Sequence, residues 1–542
     1  MEPEAPAWRV SSTRLGRVVS RPRVAWLGLG AVWAVSRLIY AAIGIRFDRR
    51  MIGTADQVVD LGWLRTDYWR TLWYTHSQPP LFNAVVGGIE HLPSGMRGAT
   101  YWLLASSVSV LTAIAVCQTG RRLGLAPGVA WTIAAVLCVR PDAVLYEQWF
   151  FYTHFEVMLL AATILAIGRW AVAPDDGAKW RAALVAGVAF TGLGMMRSLF
   201  HLAFVLVIVI VVGVVSKDGV LRAARLAAVP LLLGLALYAK NYAMFDSFGP
   251  STWQGENLAR ITLGRLSPHE LDRLIADRVV SPNARFLPFA VGYTPPPGTP
   301  RSDLGPEVRV AVLDHRTKDS TGATNYNWRG YLPLFRAHLA DSLAFIRHDP
   351  GRWVSEMRLS WERFFNSPGD NIRLLPNSGR ISGFRRAVDA VSGQVNAGGS
   401  ELSLETYTHG IRSVEWGWIL GWAVAVIGPG SISVHRRRLE RSPVPVDAAS
   451  LGRGIDPVLH WAMWAAIVYV SVVGNAFEQG ENNRFRFVID PLIVLGAAAT
   501  CTYWTRVRRA RLDDAAYEPA PTSELDRDEV EAAVDAAGDI DV

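Results

Sequence analysis

Residues 98–118 read GATYWLLASSVSVLTAIAVCQ, and Arg121 and Arg122 follow closely behind. The stretch contains no Asp, Glu, Lys or Arg. The ~30 Å hydrocarbon core of a bilayer needs about 20 apolar residues in a helix, so residues 98–118 read as a membrane crossing. The arginine pair behind them reads as a cytoplasmic anchor, because short cytoplasmic loops collect basic residues.

The same pattern recurs along the chain. Comparable runs fall at 24–45, 127–145, 150–168, 182–196, 201–216, 226–241, 413–430, 456–474 and 486–505, so about ten crossings are expected. The runs 182–196 and 201–216 are short and meet at a hinge between Arg197 and His201. With the N-terminus in the cytoplasm, Arg9, Arg14, Arg17, Arg21 and Arg23 stay inside, and every even-numbered crossing ends in basic residues. These are Arg121 and Arg122, then Arg169, Lys179 and Arg181, then Lys217, Arg222 and Arg225. Arg436, Arg437, Arg438, Arg441 and Arg453 follow, and finally Arg506, Arg508, Arg509 and Arg511. The reverse orientation would send all of them outward. The expected fold is an all-α polytopic protein of the plasma membrane with both termini inside.

Composition agrees. Half of the 542 residues are hydrophobic and 19% are charged, against about 25% charged in soluble domains. The net charge of +7 is uneven: from Asp513 onward eleven acids face only Arg527. The positive surplus lies in short loops beside apolar runs, so membrane lipids are the expected partners and nucleic acid is not. Cys117, Cys138 and Cys501 all lie in apolar runs, and neither a disulfide framework nor a thiolate metal site is expected. Only four of the 55 basic residues are Lys, a codon bias typical of GC-rich bacteria such as actinobacteria.

The resulting division is a cytoplasmic segment (1–23) and a transmembrane module (24–241) with a first outer loop at 46–97. An extracytoplasmic, mainly helical domain (242–412), the last transmembrane helices (413–505) and an acidic, disordered cytoplasmic tail (506–542) complete it. The apolar stretch 80–92 is too short to cross, and 353–365 (WVSEMRLSWERFF) reads as an amphipathic helix on the membrane surface.

Charge near a membrane is costly unless it is used. On the outer side lie Asp48, Asp56, Asp60 and Asp67, then Arg140, Asp142 and Glu147, then Arg197 with His201. Lys240 and Asn241 follow, and Glu478, Glu481, Arg484 and Arg486 stand before the last run. Every outer turn contributes something polar, so one cavity at the outer leaflet is expected to draw on all of them. Beside this stands a plainer reading of other residues: Arg46, Arg49 and Arg50 as headgroup contacts, His154 and Glu156 as satisfied core groups, and Asp490 as a cap or structural partner.

Several of these residues fall in a familiar order. Arg46-Phe47-Asp48 follows the first run, and His76-Ser77-Gln78-Pro79-Pro80-Leu81 opens the short apolar stretch. Glu147-Gln148-Trp149-Phe150-Phe151-Tyr152, Lys240-Asn241-Tyr242, Ser251-Thr252-Trp253-Gln254-Gly255-Glu256-Asn257-Leu258 and Glu481-Asn482-Asn483-Arg484-Phe485-Arg486 come later. The series resembles the GT-C glycosyltransferases, the group of protein O-mannosyltransferases and the lipid A aminoarabinose transferase. There are departures: Arg49 and Arg50 follow Asp48 where the family often has Asp-Glu, and the turn is His-Ser-Gln-Pro-Pro rather than His-Pro-Pro.

The resemblance implies a GT-C-like fold and transfer of a sugar from a polyprenyl-phosphate donor to a glycan, glycolipid or protein acceptor outside the cytoplasm. An acceptor hydroxyl needs a carboxylate to take its proton. Asp48 is the first candidate for that base, with Asp60 the nearest rival and Asp56 behind; a single displacement would invert the anomeric centre. The leaving lipid phosphate calls for cations, which makes Arg484 and Lys240 the first phosphate contacts, with Arg197 and Arg486 beside them. His76, Gln78 and Glu147 would orient acceptor or sugar, and His201, Glu256, Asn257 and Glu481 complete the expected set. No cofactor is required; carboxylates beside a phosphate are compatible with a divalent cation, but no spacing demands one. No Walker-type loop or dinucleotide fingerprint is present. The alternative is a transporter or flippase of lipid-linked sugars, which would favour inverted repeats and polar groups at mid-membrane.

Overall fold

The structure is a computed structural model that describes residues 14–295, 308–393, 414–441 and 456–516. Arg9, Arg453, parts of the 242–412 segment and most of the acidic tail lie outside the described residues, and with them the expectation of a disordered tail. Within the described residues the chain is helical, with an isolated bridge between Thr317 and Thr324 and no strand.

Among the described residues, seven helices are long and apolar enough to cross a membrane: Pro22–Ala42, Ser94–Arg122, Tyr152–Ala171, Ala228–Phe245, Trp416–Glu440, Pro457–Phe477 and Asn482–Leu512. Pro127–Val139 and Pro141–Trp149, bent by 53°, make an eighth if they form one span. The bend follows from Pro141, which disfavours helical backbone at the residue before it; Arg140 is extended, at φ −59° and ψ 147°. Every one of the ten apolar runs contains a helix, but in two of them the helix does not combine that length with that apolarity. Leu202–Val215 has 14 residues, ~21 Å at 1.5 Å per residue. Asp176–Met196 carries Asp176, Lys179 and Arg181 near its start. A 3-10 turn, Ser198–Phe200, joins these two at the expected hinge.

The helix Tyr152–Ala171 is the centre of the bundle. It packs on Asp176–Met196, Ser94–Arg122, Pro457–Phe477 and the last helix. By contrast, Ala228–Phe245 and Trp416–Glu440 expose Leu232, Leu235, Leu420 and Ile427, the apolar surface a helix turns toward lipid.

The bundle has two distinct ends. At one, Arg121 Nη2 donates to the Ser20 carbonyl at 2.9 Å, Arg506 Nη2 donates to Gly124 O at 2.8 Å, and Lys179 pairs with Asp218 at 2.6 Å. The opposite end carries the 46–97 loop and the described parts of the segment between Asp246 and Glu415. Here the amphipathic stretch forms the helix Pro350–Phe364. It is fastened to the bundle, with Trp353 Nε1 donating to Ala476 O at 3.1 Å and the Ser360 hydroxyl to Glu478 O at 3.2 Å. Gln254–Ile261 lies directly on Leu332–His348: a Cβ on Gly255 would sit 2.1 Å from the Phe335 carbonyl oxygen. That close approach fixes the helix that carries Asn257.

Candidate functional site

At the loop end, side chains from seven parts of the chain surround a polar cavity of about 150 Å³. The first loop contributes Asp56, Gln57 and Gln78, and the start of the central helix contributes Tyr152. Arg197 and Ser198 come from the hinge, where the Asp176–Met196 helix has ended. Trp253, Asn257 and Arg260 belong to the Gln254–Ile261 region, with Asn257 and Arg260 three residues apart and so on one helical face. Phe289 and Arg373 close one side, and Glu478, Glu481 and Arg484 close another. The volume corresponds to about five water molecules.

Four arginines thus face three carboxylates. Arg484 pairs with Glu481 at 2.7 Å, and the two side chains are only 3% and 8% exposed. Arg373 Nη2 donates to Asp56 Oδ2 at 3.1 Å, and Arg260 stands 3.7 Å from Glu478. Arg197 Nη1 donates to Glu156 Oε2 at 3.4 Å, and Arg484 Nη2 to the Tyr152 hydroxyl at 3.1 Å. Aromatic rings support the guanidinium groups: Arg197 lies 4.3 Å from the Phe485 ring centre, Arg484 5.2 Å from Phe151, and Arg260 5.2 Å from Phe289. Such contacts restrict a guanidinium without using up its donors. Burial pushes the Glu481 carboxyl up, but Arg484, Arg373, Arg260 and Arg197 outweigh it and hold it at about 2. Gln57 Oε1, Trp253 Nε1 and Arg484 Nε are buried with no hydrogen-bond partner. The arrangement can hold a small anion and, through Asp56, accept a proton beside it.

Of the residues expected from sequence, Asp56, Gln78, Arg197, Asn257, Glu478, Glu481 and Arg484 line this cavity. The others lie elsewhere, and their contacts explain why. Asp60 is fully buried and caps the helix Leu61–Thr66: its Oδ1 accepts from the Gly62 and Trp63 amides at 2.6 and 3.1 Å. Its Oδ2 accepts from the Ser320 amide at 2.7 Å. Glu147 is held inside the bundle by Arg37 at 2.5 Å, by Trp33 Nε1 at 3.3 Å and by the Ser109 hydroxyl. His76 is fully buried, with Nε2 donating to Asn327 O at 2.9 Å and Nδ1 accepting from the Thr252 hydroxyl at 2.9 Å. Burial, reinforced by the charge of Lys240, drives its imidazole down to about 3 despite the Asn327 carbonyl, so it clamps the turn as a neutral ring.

Lys240 Nζ donates to the carbonyls of Trp73 and Thr75 at 3.0 and 2.9 Å. It therefore caps the end of the Tyr68–Tyr74 helix rather than facing the cavity. Glu256 accepts from the Phe289 amide at 2.5 Å and meets His338 Nδ1 at 2.6 Å. His201 caps the Leu202–Val215 helix through the Ala203 amide at 3.3 Å. Arg486 pairs with Glu415 at 2.6 Å and with Asp490 at 3.3 Å. His154 bonds Ser109 and Ala105, and Asp490 accepts from Arg140. Asp48 lines a second cavity, and its amide donates to Gln148 O at 2.8 Å. The expectation that all the outer polar residues share one pocket is corrected accordingly: they divide between two cavities and a set of structural contacts.

Arg260 and Arg373 were not among the expected residues. Arg260 is signalled by its spacing from Asn257, whereas Arg373 lies in a stretch without periodicity. Among the described residues no group of three or more His, Cys, Asp or Glu is placed to hold a metal ion, and Cys117, Cys138 and Cys501 are free thiols. No family model, curated protein or solved structure matches this chain. The likeness to GT-C enzymes therefore rests on the residue motifs alone.

Proposed function

We propose that the chain is a membrane glycosyltransferase that moves a sugar from a polyprenyl-phosphate donor to an acceptor at the extracytoplasmic leaflet. One observation carries this reading: four arginines from separate segments gather with three carboxylates around a buried polar cavity at one end of an apolar bundle. The arginine forks suit phosphate oxygens, and Arg197, Arg260 and Arg484 are the donors assigned to the lipid phosphate. Asp56 is the assigned base, because Asp60 is occupied as a cap and Asp48 lines the other cavity.

In the transfer, the acceptor hydroxyl gives its proton to Asp56 as its oxygen bonds the anomeric carbon from the face opposite the phosphate. The bond from the anomeric carbon to the phosphate oxygen breaks, and its electron pair stays on the phosphate. Inversion follows. Arg197, Arg260 and Arg484 stabilise the charge that grows on the departing oxygen.

The test is sugar transfer by the purified protein in vesicles supplied with a radiolabelled polyprenyl-phosphate sugar and an envelope lipid extract as acceptor. Asp56→Asn is expected to slow transfer by ~10²–10⁴-fold while donor binding persists. Full activity of that variant removes Asp56 from the role. Movement of the labelled lipid across the vesicle without transfer would support a flippase instead.

A further inference from the structure

The second cavity at the loop end is larger, about 690 Å³, within the range of small-molecule sites. Its wall holds Arg46, Arg49, Arg65, Arg97 and Arg380 against Asp48 and Glu90, an excess of three positive charges. Glu90 is already committed: Arg65 lies 2.5 Å from it, Arg97 3.3 Å, and the Tyr101 hydroxyl donates at 2.9 Å. Among the described residues, Arg46, Arg49 and Arg380 make no ion pair.

Backbone geometry holds these three in place. Arg46 Nη1 donates to the carbonyls of Ala41 and Ile45 at 2.5 and 3.0 Å, and Arg380 Nη1 donates to Gly44 O. Both therefore sit at the carbonyl end of the helix Pro22–Ala42, where the helix dipole favours cations. Arg49 crosses the first turn of the helix Ser94–Arg122 over Gly98, where a Cβ would lie 2.8 Å from its Nη1. The cavity lies at the end of the bundle opposite Arg121 and Arg506, so its charge is not part of the basic clustering of the other end.

Apolar surface adjoins it. Leu38 and Ile39 near the end of the helix Pro22–Ala42 and Ile43 just after it are 71%, 58% and 48% exposed, and Met96, next to Arg97, is 55% exposed. A ligand that filled the cationic wall and also covered this strip would carry an anionic head and hydrocarbon tails.

We propose that this cavity binds the phosphate-bearing headgroup of a membrane lipid, held by Arg46, Arg49 and Arg380, with its tails along the helix Pro22–Ala42. The site is distinct from the arginine cavity that contains Asp56, and its occupancy does not depend on whether sugar transfer takes place.

Native mass spectrometry of the full chain in detergent tests this, with phosphatidic acid as the probe, phosphatidylcholine as the control and inorganic phosphate as the competitor. The expected result is retention of phosphatidic acid over phosphatidylcholine by at least about tenfold. Arg49→Glu, at an exposed position, is expected to remove that preference without lowering the unfolding temperature, and Arg380→Gln to weaken it. Displacement by inorganic phosphate at equal concentration identifies a soluble phosphate compound as the source of the headgroup; persistence of the complex identifies a lipid. Equal retention of the two lipids, or unchanged retention in Arg49→Glu, overturns the proposal. Transfer assays on Asp56→Asn are unaffected by either result, so the two readings fail separately.

Discussion

Replacing Glu481 by Gln removes the one charge on which the cavity's arginines all act. The carboxyl sits at about 2 against an ordinary value of 4.5, although burial opposes its ionisation. At about 1.4 kcal/mol per pH unit, that gap corresponds to ~3 kcal/mol of stability at neutral pH. The contribution is complete above 4.5 and is lost as the pH falls through 2, because the unfolded chain binds the proton first. Breaking the buried Arg484–Glu481 pair by losing one partner independently predicts a cost of ~3–5 kcal/mol. The assay is unfolding of the purified protein in detergent at pH 7 and across pH 5 to 2. Glu481→Gln is expected to be ~3 kcal/mol less stable at pH 7 and to lack the part of the acid transition that belongs to this carboxyl. The substitution also leaves four arginines against two carboxylates, so inorganic phosphate should stabilise the variant more than the parent by mass action. Equal stability of variant and parent at pH 7, with the same acid dependence and no added response to phosphate, would refute the convergence of these arginines on one carboxyl.

Two further outcomes follow from the residues that turned out to be structural. His76 is held neutral, near 3 rather than 6.5, so its contribution is complete above 6.5 and declines as the pH falls toward 3. The parent should lose ~2 kcal/mol from this group between pH 6.5 and 5; His76→Gln should lose that slope, and an unchanged unfolding profile against pH would refute the assignment. Lys240→Met strips a donor from the carbonyls of Trp73 and Thr75 and should cost ~1–3 kcal/mol while leaving phosphate binding intact. A calorimetric loss of phosphate binding in that variant would return Lys240 to the phosphate site.

The helical membrane bundle was legible because its signal is long: about 20 apolar residues leave few alternatives. Where the signal was shorter it was ambiguous. Leu202–Val215 is intensely apolar, but no composition rule places a 14-residue helix relative to a bilayer. The site was legible as a kind of residue at one end of the bundle, and much less as a set of partners. Asp60 illustrates the difficulty, since an Asp one residue before Leu61-Gly62-Trp63 is also what an N-cap looks like. Glu147 had an overlooked clue: Arg37 lies inside the first apolar run, and a charge buried there requires a carboxylate to meet it. Arg373 reaches Asp56 across 317 residues of sequence, a contact that no local pattern announces.

Two buried ion networks near the loop end contrast with each other, and the contrast argues for which of the two meets a ligand. In the first, Arg140 and Arg486 face Asp142, Glu415 and Asp490. That network has an excess of acid, and it can correct the excess internally: burial pushes the Glu415 carboxyl up to about 7, against the pull of Arg486. A proton taken up by Glu415 brings the group to neutrality with nothing added. The cavity beside Arg140 and Asp490 is only about 40 Å³. In the second network four arginines face three carboxylates on the cavity wall, with Glu156 meeting Arg197 from outside that wall, and arginine does not give up its proton in a protein. Glu481 is already fully ionised at neutral pH, and about 150 Å³ of polar space remains beside the arginines. Arginine donors that cannot be discharged, with room left next to them, make this cavity rather than the first the one suited to an anion from outside, and a phosphate group has the size, the charge and the oxygen geometry to match.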